Sequence, residues 1–153
     1  MGWNAYGIAQ VLTYPTPSVI QDTRVCLPWC PMTLTATLIV AGRFLLGLMF
    51  IIAGIRNFLR LEERFAFKTN YGFVLPRPAI VLGFAVQLVG GISVALGLWP
   101  FWGALALIAF ILPATAFYHN LFMFTGKERE PHIYFVTVNM ALCGAFLLVM
   151  AIS

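Results

Sequence analysis

Residues 34–55 read LTATLIVAGRFLLGLMFIIAGI, twenty-two residues with one charged side chain, Arg43. A bilayer core about 30 Å thick is crossed by about 20 predominantly apolar residues at about 1.5 Å per residue. The stretch therefore has the length and the composition of a transmembrane helix. Three further apolar runs follow it, at about Ala79–Leu98, Phe101–Phe117 and Ile133–Ile152. Because lipid offers the backbone no hydrogen-bond partner, runs of this length satisfy their peptide groups internally as helices. Residues 34–153 are thus expected to form an all-α, integral membrane four-helix bundle. Only Trp99-Pro100 separates the second run from the third, and a proline suits the first turn of a helix. Those two helices are expected to be antiparallel neighbours.

Composition points the same way. Of the 153 residues 61% are hydrophobic and 9% charged, where soluble domains carry roughly a quarter charged, so this much apolar surface requires lipid. The charges cluster where connections fall: seven of the fourteen lie from Arg56 to Arg77. The net charge of +4 is small and dispersed, which sets nucleic acid aside as a partner. The chain contains no Gly-x-Ser-x-Gly, no phosphate-binding loop and no dinucleotide fingerprint, so hydrolysis and nucleotide chemistry have no support in it.

Residues 1–33 differ in kind. Trp3, Tyr6, Tyr14 and Trp29 are interleaved with Pro15, Pro17, Pro28 and Pro31, a mixture that interrupts helices and puts amphipathic rings where water meets lipid. An irregular, extramembrane or interfacial arm is expected. It lacks a basic leader, a compact apolar run and a small-residue cleavage site, so it is expected to stay in the mature chain. Within it Cys26 and Cys30 are spaced Cys-x-x-x-Cys; they could pair as a disulfide or remain free thiols. Arg60, Arg64, Lys68 and Arg77 in the first loop and Lys127 and Arg129 in the third place both loops in the cytoplasm by the positive-inside rule. Both termini would then face the periplasm of a bacterial inner membrane.

Ionisable groups inside a span are costly and are candidates for function. Arg43 lies about 13 Å in from Leu34, Gln87 about 12 Å in from Ala79, and Asn139 about 9 Å in from Ile133. No Asp or Glu falls in any of the four runs, so Arg43 has no acidic partner there. Arg43, Gly47 and Gly54 share one face of the first helix, and Gly83, Gln87, Gly90 and Gly97 one face of the second. Small residues mark the sides on which membrane helices approach closely. Arg43, Gln87 and Asn139 are therefore expected to converge inside the bundle, either as hydrogen-bonded links between helices or as a pocket for a quinone.

A second polar group, Arg56, Asn57, His119, Asn120 and His132, is expected at the cytoplasmic ends of the helices. No His-x-x-x-His or Glu-x-x-His pattern accompanies the two histidines, so neither a metal ion nor haem is expected there. Capping and headgroup contact account for them.

The stretch Ala41-Gly-Arg-Phe-Leu-Leu-Gly-Leu-Met-Phe-Ile-Ile-Ala-Gly-Ile-Arg-Asn-Phe resembles the first helix of the DoxX family. Gly72-Phe-Val-Leu-Pro is similar to the family's segment before the second helix, and Gln87-Leu-Val-Gly-Gly-Ile-Ser-Val-Ala-Leu-Gly-Leu to that helix. His119 and Asn139-Met-Ala-Leu-Cys-Gly-Ala-Phe-Leu-Leu occupy the places of the third-helix His and the fourth helix. The likeness spans roughly Ala41 to Ile152. Gln87 stands where many relatives have an acid, and Arg56-Asn57 where a Lys often leaves the first helix. The family includes membrane subunits of thiosulfate:quinone oxidoreductase, so the resemblance implies a redox-associated membrane subunit.

Two functional readings follow. In one, the chain is a small accessory subunit of a larger respiratory or photosynthetic electron-transport complex, with no cofactor of its own and other membrane subunits as partners. In the other it is the quinone-binding subunit of an oxidoreductase, with Arg43, Gln87 and Asn139 on the quinone. Transport has little behind it, since no inverted repeat or intramembrane acid is visible.

Overall fold

The computed structural model describes residues 34–153. Four helices long and apolar enough to cross a membrane make up most of this unit, and the protein is an all-α, multi-pass membrane protein. Helix α1 spans Leu34–Leu59. A short helix α2, Leu61–Phe65, turns the chain toward α3, Arg77–Leu96. Helix α4 is Pro100–Tyr118, and after a single 3-10 turn at Gly126–Glu128 the last helix, α5, runs Arg129–Ala151. The observed spans begin one to four residues before three of the expected starts. Proline near the first turn contributes to this at α3 and α4, because its fixed φ suits that position and its missing N–H costs nothing there.

The turn between α3 and α4 lies slightly earlier than Trp99-Pro100. Gly97 closes α3 in the left-handed region at φ 70°. The Leu98 N–H bonds the Ser93 carbonyl at 3.0 Å and the Gly97 N–H that of Val94 at 3.3 Å, the paired bonds of a glycine-terminated helix. Trp99 also takes a positive φ, 49°. The Ser93 hydroxyl donates to the Leu98 carbonyl and to that of Trp99, which fastens the reversal, and Pro100 then opens α4 as its position suggests.

The helices pack in the order α1, α3, α4, α5, each against the next. Small residues set the spacing. At Gly47 an added Cβ would lie 2.6 Å from the Ala95 nitrogen, 2.7 Å from the Ala95 Cβ and against the Gly91 carbonyl; at Gly91 it would come within 3.0 Å of the Gly47 carbonyl. The backbones of α1 and α3 therefore touch, as small-residue membrane interfaces allow. On the next face of α3, Gly90 packs under Leu107, and Gly83 under Phe110, of α4. The expected single face of Gly83, Gln87, Gly90 and Gly97 is thus divided between two neighbouring helices.

Phe50, Val94, Ala104, Leu107, Ile111, Phe146 and Val149 form the core. Phe50 of α1 meets Phe146 of α5 edge to face, with centroids 5.3 Å apart, and this ring pair joins the first helix to the last. Most other large apolar side chains point outward, toward lipid.

Candidate functional site

The polar side chains of the bundle lie in layers. Lowest in the α1–α3 seam, Asn57 donates through Nδ2 to Gln87 Oε1 at 2.9 Å, and Gln87 is 6% exposed. In the α4–α5 seam, Asn139 Nδ2 donates to Thr115 Oγ1 at 2.7 Å, whose hydroxyl donates in turn to the Ile111 carbonyl of its own helix. One turn beyond Thr115, His119 closes α4, and its Nδ1 lies 3.2 Å from Nδ1 of His132 near the start of α5. At the membrane end, Asn120 Nδ2 donates to the Tyr71 hydroxyl at 2.8 Å, and the Asn70 N–H to the Phe117 carbonyl. The first of these bonds ties the first loop to the third, and the second ties it to the end of α4.

The expected convergence of Arg43, Gln87 and Asn139 does not occur. Arg43 precedes Asn57 by fourteen residues on one helix, about 21 Å of rise, and Asn57 is the residue that reaches Gln87. Counting depth from each span's start concealed this, because α1 is displaced along its neighbours: its Gly47 is level with Gly91 and Ala95, near the far end of α3. Arg43 accordingly lies beside the α3–α4 turn, where a Cβ on Gly97 would stand 3.4 Å from a terminal guanidinium nitrogen. A cation at the last turn of a helix is favoured by the exposed carbonyls there. The Arg43 Nε is buried and has no hydrogen-bond partner among the described residues.

Of the second expected group, His119 meets His132, Asn57 meets Gln87, and Asn120 meets Tyr71, so one polar patch becomes three pairs at different depths. Arg56 is exposed on the outside of α1. Among the described residues no three of His, Cys, Asp and Glu come together. Cys26 and Cys30 lie outside the described residues; Cys143 is a free thiol.

Residue-by-residue reading missed Thr115, although Thr115 and His119 are spaced one helical turn apart and so share a face. It also missed the loop's small hairpin, in which Lys68 bridges to Val74 around Gly72 at φ 83°. The hairpin buries Thr69, whose hydroxyl donates to the Phe73 carbonyl. Phe124 and Phe135 stack on His132 and His119, a partnership that no local spacing announces.

A groove of about 530 Å³ runs along the outer seam of α3 and α4. Ala85, Val89, Ser93 and Ala106 line it, and Trp99 and Trp102 stand at its turn end. Aromatic rings of this kind are enriched at the membrane–water interface, which puts the α3–α4 turn at one membrane surface and the basic loops at the other.

In comparison with known proteins, the family model named DoxX matches residues 38–120, more than half of the chain. The match takes in α1 to the end of α4 and stops before α5. No curated protein and no solved structure matches. With the early Arg43, the small-residue seam of α1 and α3 and the His at the end of α4 all within the matched segment, the chain belongs to the DoxX family.

Proposed function

We propose that this protein is an accessory subunit of a larger redox complex in a bacterial inner membrane, shaped to pack against another membrane chain. The observation that carries this reading is how the interior polar groups are used. Asn57 is engaged by Gln87, and Asn139 by Thr115, so these side chains hold helices together. Hydrogen bonds of this kind contribute about 0.6 kcal/mol each inside membranes, a modest stabilisation that fixes register. The outer α3–α4 groove supports the same reading, since its small lining residues suit the close approach of a partner's transmembrane helix. The basic loops at one end and the Trp99 turn at the other support cytoplasmic loops with both termini on the periplasmic side.

Purification of the natural protein from its own membrane in mild detergent should yield a stable assembly with other membrane chains. Val89, 66% exposed on the groove, provides the specific test. Val89→Trp should remove the copurifying chains, with a loss of about tenfold or more, equivalent to about 1.4 kcal/mol, while leaving the protein's own thermal stability unchanged. A solitary protein in both preparations would overturn the proposal.

One observation favours a second reading, a quinone-binding subunit. The buried Nε of Arg43 is a donor without an acceptor among the described residues, and a guanidinium would stabilise a reduced, anionic quinone oxygen. Gln87 and Asn139 are engaged elsewhere, so on this reading Arg43 acts without them. Arg43→Ala should then abolish quinone reduction by the assembled complex with its subunit composition intact. Unchanged turnover would eliminate quinone binding at Arg43.

A further inference from the structure

We propose that His119 and His132 form a proton-operated latch that fastens the end of α4 to the start of α5 and opens on acidification. This goes beyond an accessory or quinone-binding role and does not depend on either. Four rings stand in a row: Phe124 lies on His132 with centroids 3.9 Å apart and planes 10° apart, and His119 lies on Phe135 at 4.5 Å and 25°. The two imidazoles face each other between them, Nδ1 to Nδ1 at 3.2 Å. Phe124 belongs to the connection between the helices, so this row of rings holds the connection against the bundle.

A neutral imidazole has one N–H donor and one bare acceptor nitrogen, while an imidazolium has two donors. When both rings are neutral, one Nδ1–H can donate to the other Nδ1. One added proton leaves that bond in place, because the neutral ring still accepts. A second proton puts two N–H groups and two positive charges face to face at this distance, and the contact is lost. The pair therefore tolerates one proton and is opened by two.

The surroundings set the direction. Burial lowers the pKa of His119, and the charge on His132 lowers it further. The facing titratable group from α5 is His132. The connection presents the uncharged Phe124, and its Lys127 and Glu128 are exposed. Arg64 of α2 acts on the neighbouring Tyr118. A histidine whose folded pKa lies below its unfolded value of about 6.5 stabilises the fold fully above that pH, and the contribution is lost as pH falls below it. Opening needs the second proton and therefore falls on the acid side. It is transmitted inward, because the His119 N–H bonds the Thr115 carbonyl at 2.8 Å and Thr115 carries the Asn139 link.

The test is hydrogen exchange of the full-length protein in detergent, followed at residues 120–128 from pH 8 to pH 4.5 and corrected for intrinsic exchange rates. Protection there should fall about tenfold or more on the acid side of pH 6.5. His119→Phe together with His132→Phe retains the row of rings without titratable groups and should show the same protection at every pH. If that variant misfolds, His119→Gln supplies a non-titrating donor and acceptor with the same expected result. Protection in the natural chain that does not change with pH, or an acid transition that persists in a folded variant, would overturn the latch.

Discussion

Gly47→Leu should destabilise the protein more than any other single substitution in the seams between helices. At this position even a methyl group would press on the Gly91 carbonyl and stand within 2.7 Å of both the nitrogen and the Cβ of Ala95. These are mainly backbone atoms of a neighbouring helix and cannot rotate away. The two helices would have to separate along their whole contact, taking Phe50 away from Phe146 and Asn57 away from Gln87. Overpacking of a close-packed interior costs about 1–3 kcal/mol where side chains can adjust; against immobile backbone the expected loss is at least about 3 kcal/mol. Gly144→Ala is the control, because nothing among the described residues lies within 4 Å of its would-be Cβ and alanine gains about 0.5–1 kcal/mol over glycine in a helix. Thermal unfolding in one detergent, monitored for both, decides the matter. Equal stabilities would mean that α1 and α3 do not meet at Gly47.

Phe146→Ala should produce the second large effect, for the opposite reason. Phe146 is fully buried, and its ring is the edge-to-face partner of Phe50. Truncation leaves a void of about 100 Å³, which at about 24 cal/mol per Å³ destabilises by about 2–3 kcal/mol. Lipid cannot fill an enclosed void, so the cavity term persists although the transfer from water that adds to it in soluble proteins is absent. Leu148→Ala, on the lipid-facing side of the same helix at 69% exposed, should cost far less. A denaturant or thermal comparison of the two alanine variants reads the difference. Similar losses would show that α5 is not docked through Phe146.

The existence of four helices was legible because the requirement is local. A run of about 20 apolar residues in lipid has one way to satisfy its peptide groups. The second and third helices had to be neighbours because few residues separate them, and the α1–α3 seam was legible in Gly47, since small residues recur where membrane helices approach closely. The candidate site was less legible. Gln87 is buried, but the partners of Arg43, Gln87 and Asn139 depended on how far one helix is displaced along the next. The glycine contacts and core packing set that displacement, and a difference of two or three turns exchanges one partner for another.

The histidines show the same division. Their places at the adjoining ends of α4 and α5 follow from the sequence, whereas their 3.2 Å approach depends on how the connection folds and where Phe124 and Phe135 lie. By itself the sequence determined that the protein is a membrane-embedded bundle, where its helices begin and end to within a few residues, and that it resembles the DoxX family. Only the tertiary structure decided that Asn57 reaches Gln87, that Asn139 reaches Thr115, and that Arg43 lies apart from both beside Gly97. The physical reason is range: helix formation is fixed by hydrogen bonds four residues apart, whereas pairing between helices is fixed by steric fit among residues tens of positions apart.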